Sequence, residues 1–197
     1  QTDVYLDANA TSAPIVAQNA TLDGTLNITG YGSASTLSAD SAFTVIDAEN
    51  AISGNFTNLT VAGMASGSVD FITFSGTIDP ADVTNYVLTP SLTWYASQNP
   101  AATAAHGTFT LNNPDGSFTL STALVDQNAE ATTGWDGKSL TKEGQGTLIL
   151  NAVNSYSGTT DVNQGTLWLD EAGVIGVQNS EQAVNVAAGA TFGGSSG

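Results

Sequence analysis

Residues 140–169 read LTKEGQGTLILNAVNSYSGTTDVNQGTLWL, and one short strand occurs in them twice. Gly146-Thr147-Leu148-Ile149-Leu150 returns nineteen residues later as Gly165-Thr166-Leu167-Trp168-Leu169, and Gly189-Ala190-Thr191-Phe192 is a looser third copy. Self-similarity with a period of about 20–25 residues marks a solenoid, in which a coil buries its apolar face only by stacking on its neighbour. Alternate side chains of a strand point to opposite faces, so Leu148 and Leu150 share a face with Leu167 and Leu169. Stacking puts Leu148 over Leu167 and Leu150 over Leu169 as an internal ladder. Thr147 over Thr166 and Ile149 over Trp168 then form the outer rows. Gly144, Gly158 and Gly165 stand where the chain corners, where a positive φ suits glycine. An antiparallel meander with accidental repetition is the competing fold, and it explains the periodicity less well.

Composition agrees with an all-β chain. Charged residues are 10% of 197, against about 25% in average domains. No long helical pattern appears; 170–178 and 80–85 are each long enough for a single helical turn. The net charge of −16 reflects scarce bases, since Lys138 and Lys142 are the only two. So anionic a surface repels nucleic acid and anionic lipid, both of which need Lys or Arg to neutralise phosphate. There is no cysteine, consistent with a stacked core that does not depend on disulfides. No apolar run reaches the length of a spanning helix, and Gln1 does not open a signal peptide. Phe192 to Gly197 runs partway into a new coil, as expected of a piece of a longer protein.

Three regions follow. Residues 1–79 hold irregularly spaced strand-like runs at Val4-Leu6, Ile15-Ala17, Thr25-Ile28, Phe43-Ile46, Leu59-Val61 and Phe71-Phe74, separated by polar clusters such as Thr29-Gly30-Tyr31-Gly32-Ser33. A compact sandwich is the alternative for this part. Residues 80–136 break the repeat, with strands at Tyr86-Leu88 and Leu92-Tyr95. There, Phe109 and Leu111 flank Asn112-Asn113-Pro114-Asp115-Gly116 with Phe118 and Leu120 on the far side. Pro-Asp-Gly between alternating runs predicts a β-hairpin, with its aromatic side chains covering an open sheet edge. Residues 137–197 are the regular coils.

Catalytic chemistry finds little support. His106 is the single histidine and lacks a neighbouring nucleophile; it is expected to open the hairpin strand. Glycoside hydrolysis needs two carboxylates across one groove, for which Asp40, Asp47, Glu49, Asp79 and Asp82 are available. No base precedes Lys138 to neutralise an acidic sugar, and Asp79-Pro80-Ala81-Asp82 reads as a turn. The chain is expected not to be an enzyme. No cofactor is expected, and no calcium-roll or EF-hand pattern is present. Asn-x-Thr triplets at Asn9, Asn19, Asn27, Asn55 and Asn58 reflect composition. Trp94, Trp135 and Tyr156 are expected to fill the core where the coil is interrupted. Trp168 has outward parity and is expected to lie under a neighbouring loop.

The run Trp135-Asp136-Gly137-Lys138-Ser139-Leu140-Thr141-Lys142-x-Gly144-x-Gly146-Thr147-Leu148-x-Leu150, followed by Asn154-x-Tyr156-Ser157-Gly158-x-Thr160-x-Val162-x-x-Gly165-Thr166-Leu167, resembles the passenger-associated transport repeat of bacterial autotransporters. The preceding Leu92-Thr93-Trp94, His106-Leu111 and Phe118-Leu120 resemble the autochaperone region of AIDA-type adhesins. The resemblance covers roughly 79–169. It implies a right-handed, three-sided parallel β-helix displayed on the cell surface and joined to its own outer-membrane β-barrel. It further implies an autochaperone role, with Trp94, Phe109, Leu111, Phe118, Leu120, Trp135, Leu140, Gly144, Gly146, Leu148, Leu150, Tyr156, Gly158, Gly165, Leu167 and Leu169 as the folding core. An adhesin would engage other passengers or a host surface, in autoaggregation, biofilm or virulence. The alternatives are a stalk beneath an upstream protease or esterase, and a polysaccharide-active β-helix.

Overall fold

The structure is a computed structural model describing residues 1–33, 42–95, 104–176 and 182–195. Twenty strands and no helix are found among them. The first ten are β1 Thr2–Asp7, β2 Ile15–Ala17, β3 Thr21–Leu22, β4 Thr25–Ser33, β5 Phe43–Ala48, β6 Ser53–Gly54, β7 Asn58–Val61, β8 Met64–Ala65, β9 Ile72–Ile78 and β10 Asn85–Leu92. They are followed by β11 Thr108–Thr110, β12 Ser117–Thr122, β13 Leu140–Glu143, β14 Thr147–Leu150, β15 Val153–Asn154, β16 Thr160–Val162, β17 Thr166–Leu169, β18 Val174–Ile175, β19 Val184–Val186 and β20 Thr191–Gly194. The segment 80–84 is turn rather than helix, with Asn85 opening β10, and the described part of 170–178 is likewise not helical and holds the short strand β18.

From β13 onward the chain visits three sheets in a fixed order and returns. β13, β16 and β19 pair in parallel in one sheet, β14, β17 and β20 in a second, β15 and β18 in a third. The register is the one that the sequence repeat demands. Leu148 lies beside Leu167, Leu150 beside Leu169, Thr147 beside Thr166 and Ile149 beside Trp168. Leu148, Leu150 and Leu167 are fully buried, while the threonines are only half-buried. The ladder continues through Phe118 beside Leu148 and Phe192 beside Leu167.

The anticipated hairpin at 107–120 does not form. β11 pairs in parallel with β13, and β12 pairs in parallel with β14 and β4, so the two strands lie in different sheets. Asn113–Gly116 does close a turn, with the Gly116 N–H donating to the Asn113 carbonyl at 3.0 Å. That turn is a corner of the coil. The flanking strands find the next coil instead of each other, and Phe109 and Phe118 are both buried inside rather than covering an edge.

An antiparallel hairpin exists elsewhere. β9 and β10 pair from Ile72–Leu92 to Ile78–Tyr86, and β10 also pairs antiparallel with β5. The connecting turn is the Asp79-Pro80-Ala81-Asp82 segment: the Asp79 carboxylate accepts from the Ala81 N–H at 2.9 Å, and Asp82 accepts the Thr84 hydroxyl at 2.6 Å.

The 29–33 cluster, read above as a spacer, is the second half of the nine-residue β4. β1 runs along one edge of β4; on the other edge β7 pairs with 25–28 and β12 with 30–33. The N-terminal strands and the regular coils therefore share one sheet, and Tyr31 stacks beside Leu120 in the same interior row.

Candidate functional site

The residues singled out by sequence converge on the junction between the antiparallel segment and the regular coils. Trp94 is fully buried with its ring 4.8 Å from that of Trp135, 5.3 Å from Tyr156 and 6.1 Å from Phe109. Each polar edge is satisfied, as buried aromatic groups require. Trp94 Nε1 donates to the Val125 carbonyl at 2.9 Å, and Trp135 Nε1 to the Ser139 carbonyl at 2.8 Å. The Tyr156 hydroxyl lies 2.7 Å from Thr160 Oγ1, and burial pushes its pKa up to about 12. Leu111, Leu120, Leu140, Leu148, Leu150 and Leu167 complete the wall, and Leu169 is half-buried at its far end.

One member was not foreseen. Phe71 stacks on Phe109 at 4.6 Å and meets Phe118 edge-on at 5.5 Å. It enters from a strand-like run some 40 residues upstream that carries no repeat signal, so only tertiary structure joins it to the cluster.

The glycines of the repeat act by two means. Gly144 and Gly165 have φ of 74° and 62°, the left-handed region that disfavours other residues. A Cβ on Gly144 would also strike the Leu111 carbonyl, and one on Gly165 the carbonyl oxygens of Gly144 and Gly146. Gly146 and Gly158 do not have positive φ, contrary to the expectation for Gly158. They are places of close approach, against Asn113 and against Lys138 respectively.

Lys142, counted in the sequence only as one of two bases, is buried in the structure. Its side chain is fully buried, and Nζ donates to the carbonyls of Glu143 and Gly144 at 2.7 Å and of Gln164 at 3.2 Å. The ammonium thus ties together two corners of adjacent coils. Desolvation lowers its pKa to about 8, opposed by the nearby charges of Glu143 and Asp70. The signal was a lysine with inward parity beside Leu140. Lys138 is the remaining base, half exposed and 3.5 Å from the Asp126 carboxylate.

Polar side chains close the loops of the same region. Asp136 accepts from the Lys138 and Ser139 N–H groups, both at 2.8 Å, and from Ser139 Oγ at 2.6 Å. Burial raises its pKa, but these bonds and the Lys138 charge outweigh it and the net shift is downward. Asn154, fully buried, accepts from the Leu124 N–H at 2.9 Å and donates to the Ala152 and Val174 carbonyls. It thereby links three successive coils.

His106 precedes β11 and is half-buried, its N–H donating to the Thr93 carbonyl at 3.2 Å. Asp79 and Asp82 are engaged in their turn, and Asp40 lies outside the described residues. Asp47 lines an open cleft of about 740 Å³ with Tyr5, Asp7, Thr11, Ser12 and Asn85. Among the described residues no cluster of three His, Cys, Asp or Glu side chains could hold a metal.

Leucine ladder, corner glycines and inward lysine all fall within one stretch. Residues 140–169 match the passenger-associated-transport-repeat family. The match supports an autotransporter passenger, and it begins at the first residue of β13 and ends at the last of β17. The transport repeat therefore spans one full return of the chain, from one sheet through two others and back, and the next strand of the second sheet. A search of curated proteins finds no match to the chain.

Proposed function

We propose that this chain is the stem and autochaperone segment of an AIDA-type autotransporter adhesin, coiled as a right-handed, three-sided β-helix. It acts without catalysis of its own, at the bacterial surface, and is joined in the whole protein to an outer-membrane β-barrel. The observation carrying this reading is the unbroken interior register Phe118–Leu148–Leu167–Phe192, which runs from the aromatic junction through the transport repeat.

In a stack of this kind each ordered coil presents a row of free N–H and C=O groups and an apolar ladder to the next. Folding can then propagate outside the cell with no energy source beyond burial. The junction of Trp94, Phe109, Tyr156 and Phe71, with their rings in mutual contact, offers an apolar nucleus from which to begin. Its supporting partner is the passenger that it templates; adhesion to other passengers or to a host surface is the role of the displayed rod.

Deleting 79–169 from the parent protein tests this directly. Passenger that lacks the segment and reaches the surface only in a protease-sensitive form is the expected result. Display of a protease-resistant passenger at undiminished level overturns the folding role.

A further inference from the structure

The outer face of the main sheet carries a row with an unusual composition. Reading across the strands from β1, it runs Tyr5, Gly30, Thr119, Ile149, Trp168, Gly193. Both aromatic side chains are exposed, Tyr5 by 38% and Trp168 by 36%, so Trp168 follows its outward parity and the loop expected over it is not found among the described residues. Both lie flat on the sheet because their neighbours are glycine. A Cβ on Gly30 would fall 2.6 Å from the Tyr5 ring, and one on Gly193 2.6 Å from that of Trp168. The Tyr5 hydroxyl is held by Ser121 Oγ at 2.6 Å, which fixes its ring across β4 towards β12. The two platforms stand four strand steps apart, about 19 Å.

A second row, two residues away on β12, β14, β17 and β20, is built of hydroxyls: Ser117, Thr147, Thr166 and Thr191. On the other side the aromatic row is bordered by the Asp7 and Asp170 carboxylates, and neither lysine stands on this face. Tyr5 and Asp7 also wall the 740 Å³ cleft, whose other polar groups are hydroxyls, an amide and Asp47.

We propose that this face binds an extended, uncharged polysaccharide of equatorially linked hexoses. A flat sugar ribbon presents C–H faces that stack on aromatic rings and edge hydroxyls that pair with threonine and carboxylate oxygens. With no lysine on this face and a net charge of −16, anionic polymers are repelled, and the uncharged ring faces and hydroxyl row complement a neutral chain. The spacing of the two rings sets a minimum length, since a disaccharide cannot touch both. This inference deepens the adhesive half of the proposed function. The display experiment does not depend on it, so either can fail alone.

Titration calorimetry of the 197-residue chain with cellohexaose tests it, with cellobiose and the curved maltohexaose for comparison. Cellohexaose should bind at least about tenfold more tightly than either. Trp168→Ala should weaken it about tenfold or more, as expected for loss of an aromatic anchor, with Trp168→Tyr retaining most of the affinity. Trp168 is on the surface, so Trp168→Ala should unfold thermally like the parent, and Thr166→Val should weaken binding without altering the fold. Absence of cellohexaose binding, equal binding of maltohexaose, or undiminished binding by Trp168→Ala overturns the proposal.

Discussion

At the scale of single residues, inside and outside differ by the cost of a cavity. Leu148 is fully buried beside Phe118 and Leu167, whereas its neighbour Thr147 faces out beside Ser117 and Thr166. Leu148→Ala should therefore cost about 2–5 kcal/mol, and Thr147→Ala well under about 1 kcal/mol; urea unfolding of the two variants measures both. Equal losses would reverse the assignment of faces. Lys142 gives a pH dependence of unusual sign. Its folded pKa, about 8, lies below the unfolded value of 10.5. Between these values the unfolded chain binds more protons, so stability rises as pH climbs from 8 towards 10. The gain is bounded by about 3 kcal/mol, less what the three carbonyl partners restore to the charged form. Above about pH 10 the trend reverses, because Tyr156 ionises in the unfolded chain before its folded pKa of about 12 is reached. Urea midpoints between pH 7 and 10 should show the rise in the parent and none in Lys142→Met. The leucine parity was legible because period two is local. The burial of Lys142 was harder to read, since charge argues for solvent and only its parity beside Leu140 argued for the interior.

At the scale of elements, corners decide the outcome. Gly165 has φ of 62°, and a Cβ there would meet the Gly146 carbonyl at 2.5 Å. Left-handed backbone alone costs a non-glycine residue about 1–2 kcal/mol. Gly165→Ala should thus lose about 2 kcal/mol or more, seen as a lowered urea midpoint with unchanged slope. A loss under about 0.5 kcal/mol would show that the corner can rearrange. The Asn113–Gly116 turn shows where local reading stops. Proline, aspartate and glycine specify a reversal, and a reversal is what forms. Whether the flanking strands then pair with each other or with neighbouring coils depends on Leu140–Glu143 and Thr25–Ser33, which lie far away in sequence. The same limit hid the antiparallel pairing of β9 with β10. Its turn at Asp79–Asp82 was visible as a turn, but nothing local distinguished it from a coil corner.

At the scale of the whole molecule, the segments before and after the regular coils differ in consequence. The last coil is thinly covered: Val174 is exposed by 47%, Val184 by 38% and Val186 by 46%, although both β19 valines continue an inward row beside Thr160 and Val162. Stability in such a stack is roughly a sum of neighbour interfaces, and this interface buries little. Removing residues 170–197 should leave a cooperative unfolding transition, with Tm lowered by only a few degrees, about 2–4 °C per kcal/mol lost. The N-terminus is another matter. β4 pairs with β1, β7 and β12, and Tyr31 joins Leu6 to the interior row that continues through Leu120, Leu150 and Leu169. Its place in the main sheet could not be read from 1–79, where strand spacing is irregular and Thr29–Ser33 has the composition of a loop. Deleting residues 1–33 uncovers the edge of β12 along with the Leu120 face, and an open, apolar edge invites pairing with another chain. That variant should lose its near-UV dichroism and elute as aggregate in size-exclusion chromatography, while the C-terminal truncation stays monodisperse. If the N-terminal deletion instead unfolds cooperatively at the parent's Tm, β12 needs no strand on its β4 side, and the regular coils are a self-sufficient stack.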